Sequence, residues 1–527
     1  MHQVWTVCRA FAAAAALVSC WSGVAAAQAD KMTFRIGVQS DLKFLDPIVT
    51  PSRVTSQFAN SVYETLFNQD INGVPRPQMV GDYKVSDDKL TYTFTLRPGL
   101  KWHSGGKVTS ADVVVSLKRW MGFDPVGRKL NEFTASLEAV DADTFKLTLK
   151  RPYGLVLQSF AKPSPGSPFI MPERLARNPL DKPITEVDGS GPFVFKADEW
   201  RPGNRVVFEK FKDYVPRSEP PSGKAGGHVV KINRMVWSYI PDNNTGLAAL
   251  RAGEIDLLDE VPFDFVPIIK GDRNLKLVFT YNGTLGFVRP NFTQPPFNHE
   301  KARQALWYLV DQQEFMKAAV GDPDLYMNCY SFFICGSENG TEAGSERFRG
   351  KDLNKAKQLF KEAGYNGEPV VVLLATDRVL YNAWTQVLIQ NLRDAGVNVQ
   401  VAASEWGALM SRWAKKTKPT EGGWNLNVGG QPPGGTDPIK NPFFAPACDK
   451  AILGWPCDQQ TMEMIDAWSR QTDPAKQKEM IEKINARAFE VVPYLILGQY
   501  RQPVAVRANV EGVLKSGEMV FWNIEKK

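Results

Sequence analysis

The sequence offers few of the residues that catalysis would need. His103, His228 and His299 lie far apart along the chain. The chain contains neither a G-x-S-x-G nucleophile motif nor an H-E-x-x-H zinc motif. A glycosidase carboxylate pair can still form in space, because its members need not be close in sequence. We therefore predict that the protein is not an enzyme, and we keep an exported hydrolase acting on oligosaccharides as an alternative.

Four cysteines, by contrast, come in two close pairs. Cys329 and Cys335 are separated by five residues, and Cys448 and Cys457 by eight. In an exported chain such pairs predict two local disulfides, each stabilising the fold by roughly 2 to 3 kcal/mol. Four free buried thiols are the alternative. The spacings do not match the usual zinc sites, and we expect neither a metal nor a cofactor.

Export itself is predicted by residues 1–27. This segment has one charge, Arg9, followed by the apolar run FAAAAALVSCWSGVAAA. Its small residues at the end form an A-x-A site, which predicts a signal peptide cleaved before Gln28 and a periplasmic protein. The alternative is a lipid anchor at Cys20, because LVSC resembles a bacterial lipobox.

Composition places the remaining chain among ordinary globular proteins. Lys and Arg number 63 against 57 Asp and Glu, a net charge of only +6, with no basic run interleaved with aromatics. We therefore expect no nucleic-acid partner. A chain of 527 residues is too long for one core, so two or three domains are predicted. No later segment has 18 uninterrupted apolar residues, so no membrane span is expected.

The elements that must position any site begin with a strand at residues 91–96. Its aromatic residues alternate with threonines, so one face of the strand is predicted to be buried. Pro98-Gly99 supplies turn chemistry, and residues 100–103 are predicted to form the returning strand of a hairpin. A helix then follows, with Thr109 or Ser110 as its N-cap.

Further along, apolar strands alternate with helical segments. One strand is predicted at residues 370–374 and another ends near Ala402. Alternating strands and helices predict a mostly parallel sheet with helices on its faces. Ligands of such sheets bind at the carboxyl ends of strands, where Arg378 and Trp406 follow these two strands.

Several of these stretches resemble one family. TYTFTLRPGLKWHSGG, GSGPFVFKADEWRPGNRVVFEKFKDY and PPFNHEKARQALWYLVD are similar to signatures of the family 5 extracellular solute-binding proteins of ABC importers. The similarity runs from about residue 34 to 524. It implies an α/β, two-lobed periplasmic-binding-protein type II fold with an extra subdomain inserted in lobe one. The implied boundaries are 1–27 for the signal peptide, 28–281 for lobe one with its insert at about 72–188, 282–496 for lobe two, and 497–527 for the return to lobe one.

The resemblance also implies ligand-binding residues. Phe44 lies in the loop after the first strand, which faces the cleft in the family. Arg378 matches a region whose arginine holds the ligand's carboxylate in dipeptide receptors, and Trp406 matches their E-W-G motif. The alternatives are a core aromatic for Phe44, a surface ion pair for Arg378 and a packing aromatic for Trp406. The resemblance also implies a hinge made of two strands that cross between the lobes, one near Tyr281 and one at residues 494–500.

The sequence departs from the peptide-binding pattern W-x-G-D-x-x-D-P-D-N-F. At that place it has GGQPPGGTDPIKNPF, which keeps Asp437 but lacks the aspartate that pairs with a peptide's amino group. A buried ammonium without a carboxylate is unfavourable by several kcal/mol, so a free-amine peptide is not expected. Asn427, Gln431 and Thr436 suit hydroxyl or amide groups instead, or they only shape a glycine-rich loop.

Together these features predict a periplasmic substrate-binding protein of an ABC importer. We expect a monomer that binds a small solute, peptide-like or another ligand without a free amine, and delivers it to permease subunits. Ligand contacts from both lobes would favour the closed state. Besides the hydrolase, a periplasmic sensory binding protein is the remaining alternative.

Overall fold

The protein is described by a computed structural model that covers residues 32–281, 283–431, 437–441, 443–444, 448 and 451–527. The predicted signal peptide, the anchor at Cys20 and Thr436 lie outside the described residues.

Lobe one is built on a seven-stranded sheet whose central strand, β1, begins the described chain. Phe34, Ile36 and Val38 of this strand are buried, as their alternation along the chain requires. β1 (Thr33–Val38) pairs in parallel with β10 (Arg234–Tyr239) and with β11 (Leu257–Leu258). Across the sheet the strands are β12 (Leu275–Val278), β19 (Val504–Arg507), β11 (Leu257–Leu258), β1 (Thr33–Val38), β10 (Arg234–Tyr239), β9 (Arg205–Lys210) and β8 (Phe193–Phe195).

Lobe two is built on a six-stranded sheet. Across it the strands are β14 (Tyr326–Met327), β18 (Leu495–Tyr500), β13 (Thr284–Pro290), β17 (Leu426–Gly430), β15 (Val370–Ala375) and β16 (Val399–Ser404). Only the pairings of β15 with β16 and β17 are parallel. The prediction of a mostly parallel sheet is therefore wrong, because β13 brings the chain into this lobe and its neighbour β18 takes it out, in opposite directions.

The inserted region carries a third, antiparallel sheet. Its strands are β4 (Val80–Val85), β5 (Thr91–Leu96), β7 (Thr144–Leu149) and β6 (Thr134–Ala139). Tyr92, Phe94 and Leu96 form the buried face of β5, as predicted, and the Phe94 ring stacks on Phe145 at 4.9 Å. There are also two antiparallel two-stranded sheets. One consists of β2 (Phe67–Gln69) and β3 (Pro75–Pro77), and the other of β20 (Val510–Glu511) and β21 (Glu525–Lys526).

The predicted hairpin after β5 is wrong. β5 pairs with β4 and β7, and residues 100–103 form no strand. They belong instead to a compact loop, in which the N–H of Val108 donates to Leu100 and that of Trp102 to Gly106. The following helix starts as the capping chemistry predicts, because the Asp112 carboxylate accepts hydrogen bonds from the backbone N–H and hydroxyl of Thr109.

Helices cover the faces of these sheets. In chain order they are α1 (Arg53–Val62), α2 (Ser110–Phe123), α3 (Pro125–Phe133), α4 (Val156–Phe160), α5 (Glu173–Ala176), α6 (Asn243–Ala252), α7 (Val266–Gly271), α8 (Glu300–Ala305), α9 (Gln312–Ala319), α10 (Leu353–Glu362), α11 (Val379–Asp394), α12 (Trp406–Trp413), α13 (Gln459–Arg470) and α14 (Pro474–Val491). Within the described part of the chain, none of the helices is long and apolar enough to cross a bilayer.

The cysteines pair as the sequence predicts. The Sγ atoms of Cys329 and Cys335 are 1.99 Å apart, and those of Cys448 and Cys457 are 1.95 Å apart, so both pairs lie at disulfide distance. Both bridges lie in lobe two. They close short loops, so they constrain local shape more than the overall fold.

The chain passes between the two large sheets twice. It leaves the first sheet at Val278 and enters the second at Thr284, on either side of the predicted boundary at 281. It returns between Tyr500 and Val504, four residues beyond the predicted boundary at 496, because β18 stays paired with β13 up to Tyr500. These two short crossings connect the lobes.

Candidate ligand-binding cleft

One edge of lobe two is formed by the carboxyl ends of β15 and β16. β15 ends at Ala375 and α11 begins at Val379, while β16 ends at Ser404 and α12 begins at Trp406. These strands are parallel neighbours, so the residues that follow them meet at the same edge. The structure thus brings Arg378 and Trp406 together at this edge.

Arg378 is an exposed cation at this edge. Its guanidinium carbon lies 5.7 Å from the centre of the Trp406 ring. Among the described residues Arg378 forms no ion pair. The backbone N–H of Trp406 donates to the carboxylate of Asp377 at 2.8 Å, which fixes the start of α12. The arrangement leaves the guanidinium able to bind a carboxylate in a bidentate manner.

Tyr381 extends this edge toward the other lobe. Its ring lies 5.3 Å from that of Trp406 and stacks on Trp384. Burial raises the pKa of the Tyr381 hydroxyl, the Arg378 guanidinium lowers it, and the Glu260 carboxylate raises it. The hydroxyls of Tyr381 and Tyr500 both approach Gly430, and the Tyr500 ring contacts Phe263 of lobe one.

Lobe one carries charged and apolar side chains at the start of α1 and in the loop that precedes it. The guanidinium of Arg53, at the start of α1, binds Asp259 at 2.9 Å and Glu260 at 3.2 Å. Phe44 is 52% exposed, and its backbone carbonyl accepts a hydrogen bond from the Thr55 hydroxyl at 3.0 Å. Phe44 is therefore an exposed aromatic on a loop tied to α1, which excludes the alternative of a core position.

Two tyrosines stand at the crossings between the lobes. The ring of Tyr500 lies 5.5 Å from Trp384 in lobe two and 5.9 Å from Phe263 in lobe one. Burial raises the pKa of Tyr281 to about 12, against the opposing effect of Arg53. The crossings are thus packed with aromatic side chains that contact both lobes.

The predicted polar residues of the following segment lie elsewhere. Asn427 is 1% exposed and lies on the face of β17 opposite to Gly430, which approaches Tyr381. Gln431 is buried, and its side-chain carbonyl accepts a hydrogen bond from Tyr494 at 3.1 Å. Their role in ligand binding stays a prediction.

A cavity of about 150 Å³ lies beside the crossings, between the lobes. Asp437 lines it and forms a buried ion pair with Lys440 at 2.7 Å. Burial also raises the pKa of Glu338 in its wall. Its polar lining comes from both lobes and includes Asp70, Gln158, Lys224, Glu338, Asp437 and Lys440. Polar groups from two lobes around one cavity are typical of a binding cleft between domains.

Comparison with known sequences identifies the family. Residues 74–446 match the family model described as bacterial extracellular solute-binding proteins, family 5 Middle. The probable peptide ABC transporter periplasmic-binding protein y4tO of Sinorhizobium fredii is 37% identical over 506 residues, which cover 95% of this chain and 94% of y4tO. This chain is a family 5 solute-binding protein. The glutathione-binding protein GsiB of Pectobacterium atrosepticum is 29% identical over 507 residues, 92% of each chain.

The fold of this solute-binding protein also matches solved structures. That of AgaA from A. tumefaciens R10, in complex with agropinic acid, has a TM-score of 0.74 at 24% identity and covers 94% of this chain and 99% of that one. The predicted two-lobed α/β fold of the periplasmic-binding-protein type is therefore confirmed. The comparison extends over both lobes and the insert.

Sequence reasoning about this solute-binding protein missed Tyr381, Arg53 and Glu260. Tyr381 could have been found, because it follows Arg378 by three residues on a helix and so shares its face. Arg53 and Glu260 are far apart in the sequence, and only the pairing of β1 with β11 brings them together. No local pattern signals that contact.

Proposed function

We propose that this chain is the substrate-binding component of an ABC importer, exported to the periplasm, and that it presents a bound peptide-like solute to permease subunits. The observation that carries the proposal is Arg378, a cation without a carboxylate partner among the described residues, held over Trp406 at the edge facing lobe one. The names of y4tO and GsiB, peptide and glutathione binding, support a ligand that carries carboxylates.

In this proposal each wall of the cleft has a role. Arg378 binds a ligand carboxylate with two parallel hydrogen bonds, and Trp406 packs against the adjacent part of the ligand. Phe44 contacts the ligand from lobe one. Since the ligand then touches both lobes, it binds the closed arrangement more tightly than the open one and shifts the population toward it.

The acidic side chains of the cleft favour a ligand without a free α-amino group. Glu260 is paired with Arg53, and Asp437 with Lys440. We therefore propose a blocked or otherwise non-basic end for the ligand, with Gln431 and Thr436 as candidate neutral partners.

Isothermal titration calorimetry tests the proposal with three matched ligands: a dipeptide, its N-acetyl form and the amide of that N-acetyl form. We expect the N-acetyl dipeptide to bind more tightly than the dipeptide, and the amide to lose most of the affinity. Arg378→Ala should weaken binding of the N-acetyl dipeptide about 10- to 100-fold, the range for charge-assisted hydrogen bonds. Arg393→Ala is the control, because Arg393 is exposed near the other end of the same helix.

Equal affinities for wild type and the Arg378 variant would contradict the proposed role of this residue. Tighter binding of the free dipeptide would contradict the assignment of a non-basic end. Mass spectrometry of the recovered ligand addresses the alternative of a hydrolase, which predicts a cleaved product.

A further inference from the structure

A second arginine, Arg289, lies inside lobe two away from the cleft. It sits on β13, is 5% exposed, and its guanidinium carbon lies among the rings of Phe287, Trp413 and Phe443 at 5.3, 4.8 and 4.6 Å. Burial alone lowers its pKa to about 9. The side chain therefore keeps its positive charge at neutral pH, in a largely apolar surrounding.

This cation lacks the partners that a buried charge normally has. One hydrogen bond is present, from Nη1 to the carbonyl of Leu453 at 3.0 Å, and Nε has no acceptor. Among the described residues no carboxylate pairs with it. The buried Arg303 shows the contrast, because its Nε and Nη1 donate to the carbonyls of Val491 and Phe297 at 2.8 and 2.9 Å.

Two further polar groups near Arg289 are also unsatisfied. Asn427 is its cross-strand neighbour in the register of β13 and β17, on the same face of the sheet. Neither amide atom of Asn427 has a partner in the described structure, and the indole N–H of Trp413 has none. The large majority of buried polar groups in proteins have a hydrogen-bond partner, so unsatisfied atoms on Arg289 and on two of its neighbours indicate a missing partner.

We propose that Arg289, Asn427 and Trp413 bind a small monovalent inorganic anion of the size of chloride inside lobe two. The anion accepts hydrogen bonds from the guanidinium, the amide and the indole N–H, and it neutralises the charge. An ordered water could satisfy the hydrogen bonds but not the charge, and a buried unpaired charge is strongly unfavourable.

The cover over this site favours an inorganic ion over the transported solute. Gly454 packs so closely that an added Cβ would lie 2.9 Å from Cδ of Arg289. Its carbonyl accepts from the N–H of Phe292 at 2.8 Å, and the Cys448–Cys457 bridge closes the loop that contains it. A ligand that enters and leaves during each transport cycle would have to displace this cover.

Thermal unfolding of the full chain in chloride or bromide tests the inference, with gluconate added to keep the ionic strength constant. We expect the Tm to rise by about 1 to 3 °C for each tenfold increase in halide above the dissociation constant. Arg289→Met and Asn427→Leu should remove this dependence. Arg303→Met is the matched control, which should unfold earlier but keep the halide dependence.

Crystals of the wild-type protein grown in bromide provide a measurement that does not rely on the variants folding. We expect an anomalous bromide peak in contact with Arg289. A halide dependence that persists in Arg289→Met would overturn the proposal. So would a crystal with bromide in the solvent and no peak at this position.

Discussion

The buried ion pair of Asp46 and Arg119 makes the sharpest prediction about stability. The two carboxylate oxygens of Asp46 accept from the guanidinium at 3.1 and 2.6 Å, and they also accept from the backbone N–H groups of Ile48 and Ile184. The side chain of Arg119 is 3% exposed and that of Asp46 is 0% exposed. The pair fixes the loop that carries Phe44 to helix α2 of the insert.

Asp46→Asn removes the charge and keeps the shape of the side chain. It leaves the guanidinium of Arg119 buried without a counter-charge, so we expect the free energy of unfolding to fall by about 3 to 5 kcal/mol. The double variant Asp46→Asn with Arg119→Met has no unpaired charge. It should lose less stability than the sum of the two single variants, which is a favourable coupling in a double-mutant cycle.

Urea unfolding at pH 7, followed by tryptophan fluorescence, measures all four proteins. Glu173→Gln is the control, because Glu173 pairs with Arg177 on the surface and such pairs contribute at most about 1 kcal/mol. A loss below about 1 kcal/mol for Asp46→Asn would refute the argument that the carboxylate neutralises a buried cation. Strict additivity in the double variant would refute the coupling.

Two further predictions concern pH and closure. Burial lowers the pKa of His228 to about 4, below the value of about 6.5 in an unfolded chain, so the unfolded state binds the proton more tightly. Stability should therefore fall by up to about 3 kcal/mol as the pH falls from 6.5 to 4, and urea midpoints of His228→Gln should lack this slope. Gly154 of lobe one contacts lobe two. A Cβ added at this position would lie 1.8 Å from the backbone carbonyl oxygen of Gln471. Gly154→Ala should therefore hold the lobes apart, which calorimetry would detect as weaker ligand binding and small-angle scattering as a larger radius of gyration.

Each of these has an outcome that would contradict it. An equal pH slope in the His228 variant would assign the acid sensitivity to other groups. An unchanged ligand affinity in the Gly154 variant would show that the bound state does not require this contact.

The sequence predicted the parts of the fold that rest on local patterns. The alternation of residues predicts β5, and a run of apolar residues predicts β15. The start of α2 is predicted by Thr109 as its N-cap. The hairpin failed because turn residues at 98–99 do not determine which strand pairs with β5. That choice depends on β7, about 50 residues later in the chain.

From the sequence, single residues of the candidate site could be proposed, but not the direction or burial of their side chains. Arg378 and Trp406 were predicted as site residues partly from their place after strands, and the structure brings the two side chains together. Asn427 was predicted to contact a ligand, which stays a prediction. The face of the sheet on which its side chain lies depends on strand register, and the sequence left that register open. Arg289 was missed because one arginine in a strand does not show by itself whether it is buried.

The position of β19 constrains the order in which the lobes can form. Lobe two takes all its strands from residues 284–500, a continuous stretch, whereas the sheet of lobe one needs residues 504–507 between β12 and β11. During synthesis lobe two can complete its sheet while lobe one still lacks an interior strand. A chain stopped after Tyr500 should therefore contain a protease-resistant lobe two and a protease-sensitive lobe one, and equal resistance of both would refute this order.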